Sequence, residues 1–293
     1  MQNHNNLFNK SLSKICLGTE IYSRKHNNIS FKEIESIFFK SRDFGINFID
    51  CAECYGNHLS ETIIGEIIYK NRNSWIVASK FGHYNNSKRL ENKFDLKSVK
   101  KQLEKSLTSL KIDCIDIYYF HSGNDDDFFN DDLWNYLNTQ VKLGKIKYLG
   151  LSLKHDLVKN NYLDQAKKAS KYNIKFIQTV YNYLNTDSDK FLFDICNENN
   201  IEIITRMPLA KGILSGYYKN NQDFLPEDDR LKFKKINDLY FKRIKNELSH
   251  IPRDKLASWS LNWVLENKNV KSSVMAFRNT NQLENIIHNA NWK

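Results

Sequence analysis

Proline and glycine are scarce in this chain, at 3 and 10 of 293 residues, against usual shares of about 5% and 7%. With so few chain-breakers there is no Pro/Gly/Ser-rich linker at which to divide it, so residues 1–293 read as one domain. Long apolar runs are lacking too. Nothing approaches the roughly 18 to 20 residues of a membrane-spanning helix. The opening residues, Met-Gln-Asn-His-Asn-Asn, carry no apolar secretory core, and a cytoplasmic location is expected. The five cysteines, odd in number and irregularly spaced, argue against a disulfide framework. Cys51-Ala-Glu-Cys54 matches C-x-x-C, yet neither a second pair nor a following helix is evident, and the two thiols read as small residues flanking a turn. Charge of one sign dominates only mildly: 44 Lys and Arg against 34 Asp and Glu give +10. The lysines are interleaved with acids and no basic run reaches five. The excess favours anionic small molecules over nucleic acid.

What is present is alternation. Short apolar runs (Ile15–Thr19, Asn47–Asp50, Trp75–Lys80, Ile115–His121, Ile146–Ser152, Phe176–Val180, Ile201–Thr205 and Ser272–Phe277) are each followed by helical material. The helical stretches expected are Ser30–Phe44, Ser60–Tyr69, Asp95–Leu110, Asp131–Leu143, His155–Tyr172, Asp187–Asn197, Asp254–Asn267 and Asn281–His288. Parallel strands need crossover helices, and eight such units close a (β/α)8 TIM barrel, an α/β fold. An open doubly wound sheet would usually show G-x-G-x-x-G after its first strand; Gly18-Thr-Glu-Ile-Tyr does not. Leu214–Pro252 is long for one connection and is expected to form a surface excursion.

Three of the early strands end on an ionisable residue: Asp50, Lys80 and His121. Tyr55 stands on the loop leaving the second strand. A free tyrosine, with a pKa of about 10, is a weak proton donor near neutrality. A neighbouring lysine ammonium is expected to lower that pKa by stabilising phenolate, and an aspartate would hold the ammonium in place. A histidine could hydrogen-bond a carbonyl oxygen. Together the four could protonate a carbonyl oxygen as charge develops on it. None supplies a hydride, so a nicotinamide cofactor would be required. Taken singly, a loop tyrosine is ordinary packing and a strand-end lysine is ordinarily solvated; the convergence of four at strand ends carries the reading.

The same residues carry a resemblance. Leu17-Gly18-Thr19, Gly45-Ile-Asn-Phe-Ile-Asp50, Ala52-Glu-Cys-Tyr55-Gly56, Ser60-Glu61 with Ile64-Gly65, Ser79-Lys80, Ser106-Leu107 to Leu110 and Asp116-Ile-Tyr-Tyr-Phe-His121 follow one another in order. So do Gly144-Lys-Ile-Lys-Tyr-Leu-Gly150-Leu-Ser152, Gln178 with Tyr181-Asn182, and Pro208-Leu-Ala-Lys-Gly212 with Leu214 and Gly216. In these segments the chain resembles the aldo-keto reductases. The resemblance implies a (β/α)8 barrel, with Asp50, Tyr55, Lys80 and His121 as the catalytic tetrad. It also implies NADP(H), or less often NAD(H), lying across the strand C-termini and contacted by Gly18, Thr19 and Asp50.

On the same resemblance Ser152 and Gln178 contact the nicotinamide carboxamide, Leu153 replaces a usual polar partner, and Arg206 replaces a stacking aromatic. The pyrophosphate is expected along Met207, Pro208, Leu209, Lys211 and Gly212. The adenosine end is expected at Phe277, Arg278, Gln282 and Asn285, where Ala276 and Ile286 replace a usual glycine and asparagine. Arg278 is the candidate for a 2′-phosphate, which favours NADP(H). Tyr22, His83, Tyr84, Asn124 and Tyr217 are candidates for the pocket mouth. Asn124-Asp-Asp-Asp127 reads as a solvated loop, and no metal is called for. The expected partners are therefore a nicotinamide cofactor and a small carbonyl substrate, without nucleic acid or membrane. A sugar or a sugar-nucleotide intermediate fits that description. The rival reading is a cofactor-holding regulatory subunit with little turnover.

Overall fold

The structure, a computed structural model, describes residue 8 and residues 11–24, 28–86, 89–154, 162–226 and 228–290. The first seven residues, where no leader is expected, and residues 155–161 of the fifth expected helix lie outside the described residues.

The barrel strands are β1 (Ile15–Gly18), β2 (Phe48–Asp50), β3 (Ile76–Phe81), β6 (Ile115–His121), β7 (Ile146–Ser152), β8 (Ile174–Val180), β9 (Glu202–Arg206) and β10 (Val270–Met275). They close in the order β1-β10-β9-β8-β7-β6-β3-β2, every neighbouring pair parallel. Two further strands, β4 (His83–Asn86) and β5 (Arg89–Asn92), form an antiparallel hairpin beyond the top of β3. The expected eight-strand barrel is present. Its last strand lies two residues earlier than the expected Ser272–Phe277, because Phe277 is buried beyond the ladder and accepts a hydrogen bond on its carbonyl from the Tyr22 hydroxyl at 3.1 Å.

Local chemistry explains the helices. Ser30 caps Phe31–Asp43 by accepting from the Glu33 N–H, and Asp95 caps Leu96–Leu110 by accepting from the Ser98 N–H. Asn124 and Asp127 form a reciprocal capping box for the short helix Asp125–Phe128, so the acidic run is a helix start rather than a loop. The excursion contains a helix over Lys234–Glu247, packed on an apolar cluster that includes Ile213, Leu214, Phe224, Leu248 and Leu256.

Period-two alternation along the strands builds two layers. Ile15, Leu17, Ile49, Val77, Tyr118, Phe120, Leu151, Ile177 and Ile203 join the cluster that packs the strands against the helices. Cys16, Phe48, Ile76, Ala78, Ile117, Tyr119, Phe176 and Ile204 form a separate cluster inside the barrel, with Phe8 packed among them. Gly150 makes room there. A Cβ on it would stand 2.3 Å from the Tyr119 ring.

Candidate active site

One further step of two residues along each strand leads from that apolar interior to a polar layer. Phe48 is followed by Asp50, Ala78 by Lys80, Tyr119 by His121, Gly150 by Ser152, Phe176 by Gln178 and Ile204 by Arg206. These six side chains cap the C-terminal end of the barrel. The ladder pairs His121 with Ser152 and Ser152 with Gln178, while Lys80 stands opposite Tyr119 and Arg206 opposite Val180, so the layer is stepped around the barrel. Convergence at this end is the expected consequence of eight parallel strands tilted around one axis.

The layer is joined by hydrogen bonds. Lys80 is fully buried, and its Nζ donates to Asp50 Oδ1 at 2.6 Å, to the Cys51 carbonyl at 2.7 Å and to Tyr55 Oη at 3.2 Å. Asp50 Oδ2 accepts from Gln178 Nε2 at 2.7 Å, and Gln178 Oε1 accepts from Ser152 Oγ at 3.2 Å. A continuous chain therefore runs from the Tyr55 phenol through Lys80 and Asp50 to Gln178 and Ser152. Thr19, whose Oγ1 donates to the Asp50 carbonyl at 2.9 Å, fixes the neighbouring strand end.

Burial sets the protonation states. It pushes the Tyr55 phenol above its usual range, reinforced by Asp50 and opposed by the Lys80 ammonium. This corrects the expectation of a lowered phenol pKa: desolvation outweighs the lysine. Burial alone would lower the Lys80 pKa, but Asp50 and Tyr55 outweigh it and keep the amine charged. His121 is held well below its ordinary value, first by burial and then by Lys80, His83 and Arg206, so its ring is neutral.

The tautomer of that ring follows from its neighbour. Cys54 Sγ lies 3.7 Å from His121 Nδ1. Burial raises the Cys54 pKa, so the thiol keeps its proton and can donate it to Nδ1. If the thiol donates, the ring proton lies on Nε2. His83 packs on the same ring with centroids 4.9 Å apart, and its backbone N–H donates to Glu53 Oε1 at 2.7 Å. Glu53, Cys54 and His83 frame His121. Of these only His83 was named for the pocket from the sequence, where Cys54 read as a small residue flanking a turn; an acid two residues before Tyr55, in the turn that leaves a strand, was the available signal for Glu53.

Arg206 Nη2 donates to the Leu153 carbonyl at 3.0 Å. The position where a polar side chain is usual thus contributes its backbone, and the guanidinium lies across the strand ends. After β9, Met207, Ala210, Lys211 and Gly212 all have positive φ, which folds Met207–Gly212 into a tight loop. Asn182 Nδ2 ties it to the β8 side by donating to the Met207 carbonyl at 3.0 Å, and Arg230 Nη1 holds the Lys211 carbonyl at 2.9 Å. At the last strand, Arg278 is exposed and its N–H donates to Gln282 Oε1 at 2.8 Å. Asn285 is exposed and bonded to Asn289, whereas Ile286 is buried in the outer core. Gly18 sits beside the polar layer, paired with Asp50. Of the candidates for the pocket mouth, Tyr22 is buried beneath Phe277, Tyr84 is exposed on β4, Asn124 is a helix cap, and Tyr217 is 78% exposed on the excursion.

Comparison with known proteins bears on the family and the fold. Residues 14–292 match the model of the Aldo/keto reductase family. Aldo-keto reductase yakc [NADP(+)] of Schizosaccharomyces pombe is 31% identical over 204 residues, 67% of this chain and 57% of that relative. The NADH-specific methylglyoxal reductase of Escherichia coli is 28% identical over 229 residues, 73% of this chain and 65% of that relative. The chain thus spans less than two thirds of either relative. A solved glycerol dehydrogenase from Gluconobacter oxydans superposes with a TM-score of 0.83 at 22% identity, covering 99% of this chain and 90% of its own. At that identity the likeness speaks for the fold.

Proposed function

The chain belongs to the aldo/keto reductase family, and from that premise we propose that it reduces an aldehyde or ketone to an alcohol, using NADP(H) in preference to NAD(H). The observation that carries this reading is the buried chain Tyr55–Lys80–Asp50, with a neutral His121 beside it. The donor set fits a nicotinamide: Ser152 and Gln178 offer a hydroxyl and an amide where a carboxamide needs both a donor and an acceptor, and Arg206 Nε is buried without a partner. When bound, that group supplies the hydride.

The chain's own residues handle the proton. As negative charge grows on the carbonyl oxygen, Tyr55 gives up its phenolic proton, and the Lys80 ammonium at 3.2 Å stabilises the phenolate left behind. Asp50 keeps that ammonium charged and in place. His121 donates from Nε2 to the same oxygen and orients it. Solvent then returns a proton to Tyr55. The loop Met207–Gly212, with Pro208, Leu209 and Lys211, would hold the pyrophosphate. Phe277, Arg278, Gln282 and Asn285 would hold the adenosine end, with Arg278 at the 2′-phosphate. The yakc relative bears NADP(+) in its name and the methylglyoxal reductase bears NADH; the exposed Arg278 inclines this chain to the former. A small aldehyde or an aldose suits a site built for one carbonyl.

The test is NADPH consumption with a panel of aldehydes and ketones, run beside Tyr55→Phe. Loss of the general acid should cut the rate about 10²- to 10⁴-fold while NADPH binding, followed by fluorescence, persists. Undiminished turnover in Tyr55→Phe sinks the assignment. Binding without turnover in either protein, across the panel, transfers support to the regulatory-subunit reading.

A further inference from the structure

We propose that Glu53, Cys54 and His121 form an inhibitory site for a zinc-like divalent cation on the wall of the carbonyl pocket. The proposal rests on His121 serving the reaction as described above. Three kinds of ligand atom converge here: a carboxylate oxygen, a thiol sulfur and an imidazole nitrogen, all within 4.8 Å of one another. Among the described residues this is the group of histidine, cysteine and acidic side chains whose ligand atoms meet in this way.

The spacing suits a tetrahedral ion. Zinc bonds sulfur at about 2.3 Å and nitrogen at about 2.0–2.1 Å, so the two ligand atoms should stand about 3.6 Å apart. Cys54 Sγ and His121 Nδ1 are 3.7 Å apart. The ligand types are the thiolate, imidazole and carboxylate that zinc prefers, and a set of three leaves one position open towards the pocket.

A second, independent observation points to a ligand. Glu53 is 2% exposed; its Oε1 is occupied by the His83 N–H, and its Oε2 is buried without a hydrogen-bond partner. A buried carboxyl oxygen left unsatisfied is costly, and a cation is one of the few partners that would satisfy it fully. The charge balance also works. Binding displaces the thiol proton of Cys54 to solvent, together with any proton on Glu53, so two anionic ligands neutralise the dication beside the Lys80 ammonium. No oxidation or reduction is involved.

The Cys51–Cys54 pair does not form this site. All five cysteines are thiols, and Cys51 is fully buried. The consequence for function follows from the place of the ion. Bound to His121 Nδ1, it leaves the Nε2–H in position but sets a dication with an open coordination site beside the carbonyl pocket, which competes with His121 and Tyr55 for the carbonyl oxygen, and reduction slows.

Cobalt(II) is the probe, because its spectrum reports the ligands without any turnover. Titration of the full chain should produce a thiolate-to-cobalt charge-transfer absorption and the intensified ligand-field bands of a four-coordinate ion. In Cys54→Ala the charge-transfer absorption should vanish. In Glu53→Gln it should survive, with at least about tenfold weaker binding. In parallel, zinc should inhibit carbonyl reduction by the unmodified chain, and Cys54→Ala should need at least about tenfold more zinc for the same inhibition. A wild-type spectrum like that of cobalt in buffer overturns the site, as does charge-transfer absorption that persists in Cys54→Ala. A proper cobalt spectrum with zinc-insensitive reduction overturns the inhibition. Failure of every carbonyl in the panel, with the cobalt signature intact, strikes the proposed reaction and leaves the metal site standing.

Discussion

At the scale of single residues, the centre of the molecule is a buried ion pair whose value lies in what happens when it is broken. Lys80 and Asp50 have both been taken out of water, and their attraction roughly offsets that desolvation cost. Lys80→Met leaves Asp50 Oδ1 charged and unpaired while Oδ2 still accepts from Gln178. The expected loss is about 3–5 kcal/mol in urea unfolding. Adding Asp50→Asn removes the stranded charge and keeps an oxygen for Gln178, so the double variant should recover at least about 1 kcal/mol relative to Lys80→Met. Strict additivity of the two changes would mean that the pair is not energetically coupled, against the 2.6 Å geometry. These residues were readable in the sequence because a strand-end acid, lysine and histidine break an apolar run. What could not be read was the sign of the Tyr55 shift, since it depends on how completely the fold removes water from the phenol.

At the scale of elements, close approach between neighbours does much of the positioning. The helix Leu59–Ile68 follows directly on the turn that carries Tyr55, and its Gly65 lies against the end of Leu96–Leu110. A Cβ at Gly65 would stand 2.4 Å from the Ser109 carbonyl oxygen, a backbone atom that cannot swing aside. Gly65→Ala should therefore cost about 1–3 kcal/mol through overpacking, measured by denaturant unfolding. A change within about 0.5 kcal/mol would show that the two helices separate freely. Most strands were legible because they are short apolar runs with helical periodicity after them. The hairpin β4–β5 was not, since His83-Tyr-Asn-Asn carries no alternating apolar pattern and its pairing is held by backbone geometry beyond β3. The helix Lys234–Glu247 was missed although Ile236, Leu239, Tyr240 and Ile244 recur at helical spacing, because the whole connection reads as one surface excursion. The polar layer itself follows from period two, yet only the ladder register shows that His121, Ser152 and Gln178 meet at one level on neighbouring strands.

At the scale of the whole molecule, the question is whether the +10 charge or a local group decides which cofactor binds. Many lysines are already paired with acids from other elements, among them Lys111 with Glu66, Lys145 with Glu104 and Lys171 with Asp131. Such exposed pairs contribute little to stability, but they break up any basic stripe. The remaining excess acts at long range and is screened over about 8–10 Å at ordinary ionic strength. It should attract NADPH and NADH alike, and raising the salt should weaken both. Discrimination needs a group that touches what distinguishes them, the 2′-phosphate, and a guanidinium suits it through paired hydrogen bonds. Arg278→Ala should therefore weaken NADPH by about tenfold or more and leave NADH within about twofold, in titrations at fixed salt. Equal losses for the two cofactors would show Arg278 to be only one more contributor to the general field, and the 2′-phosphate would have to be sought elsewhere along the barrel mouth.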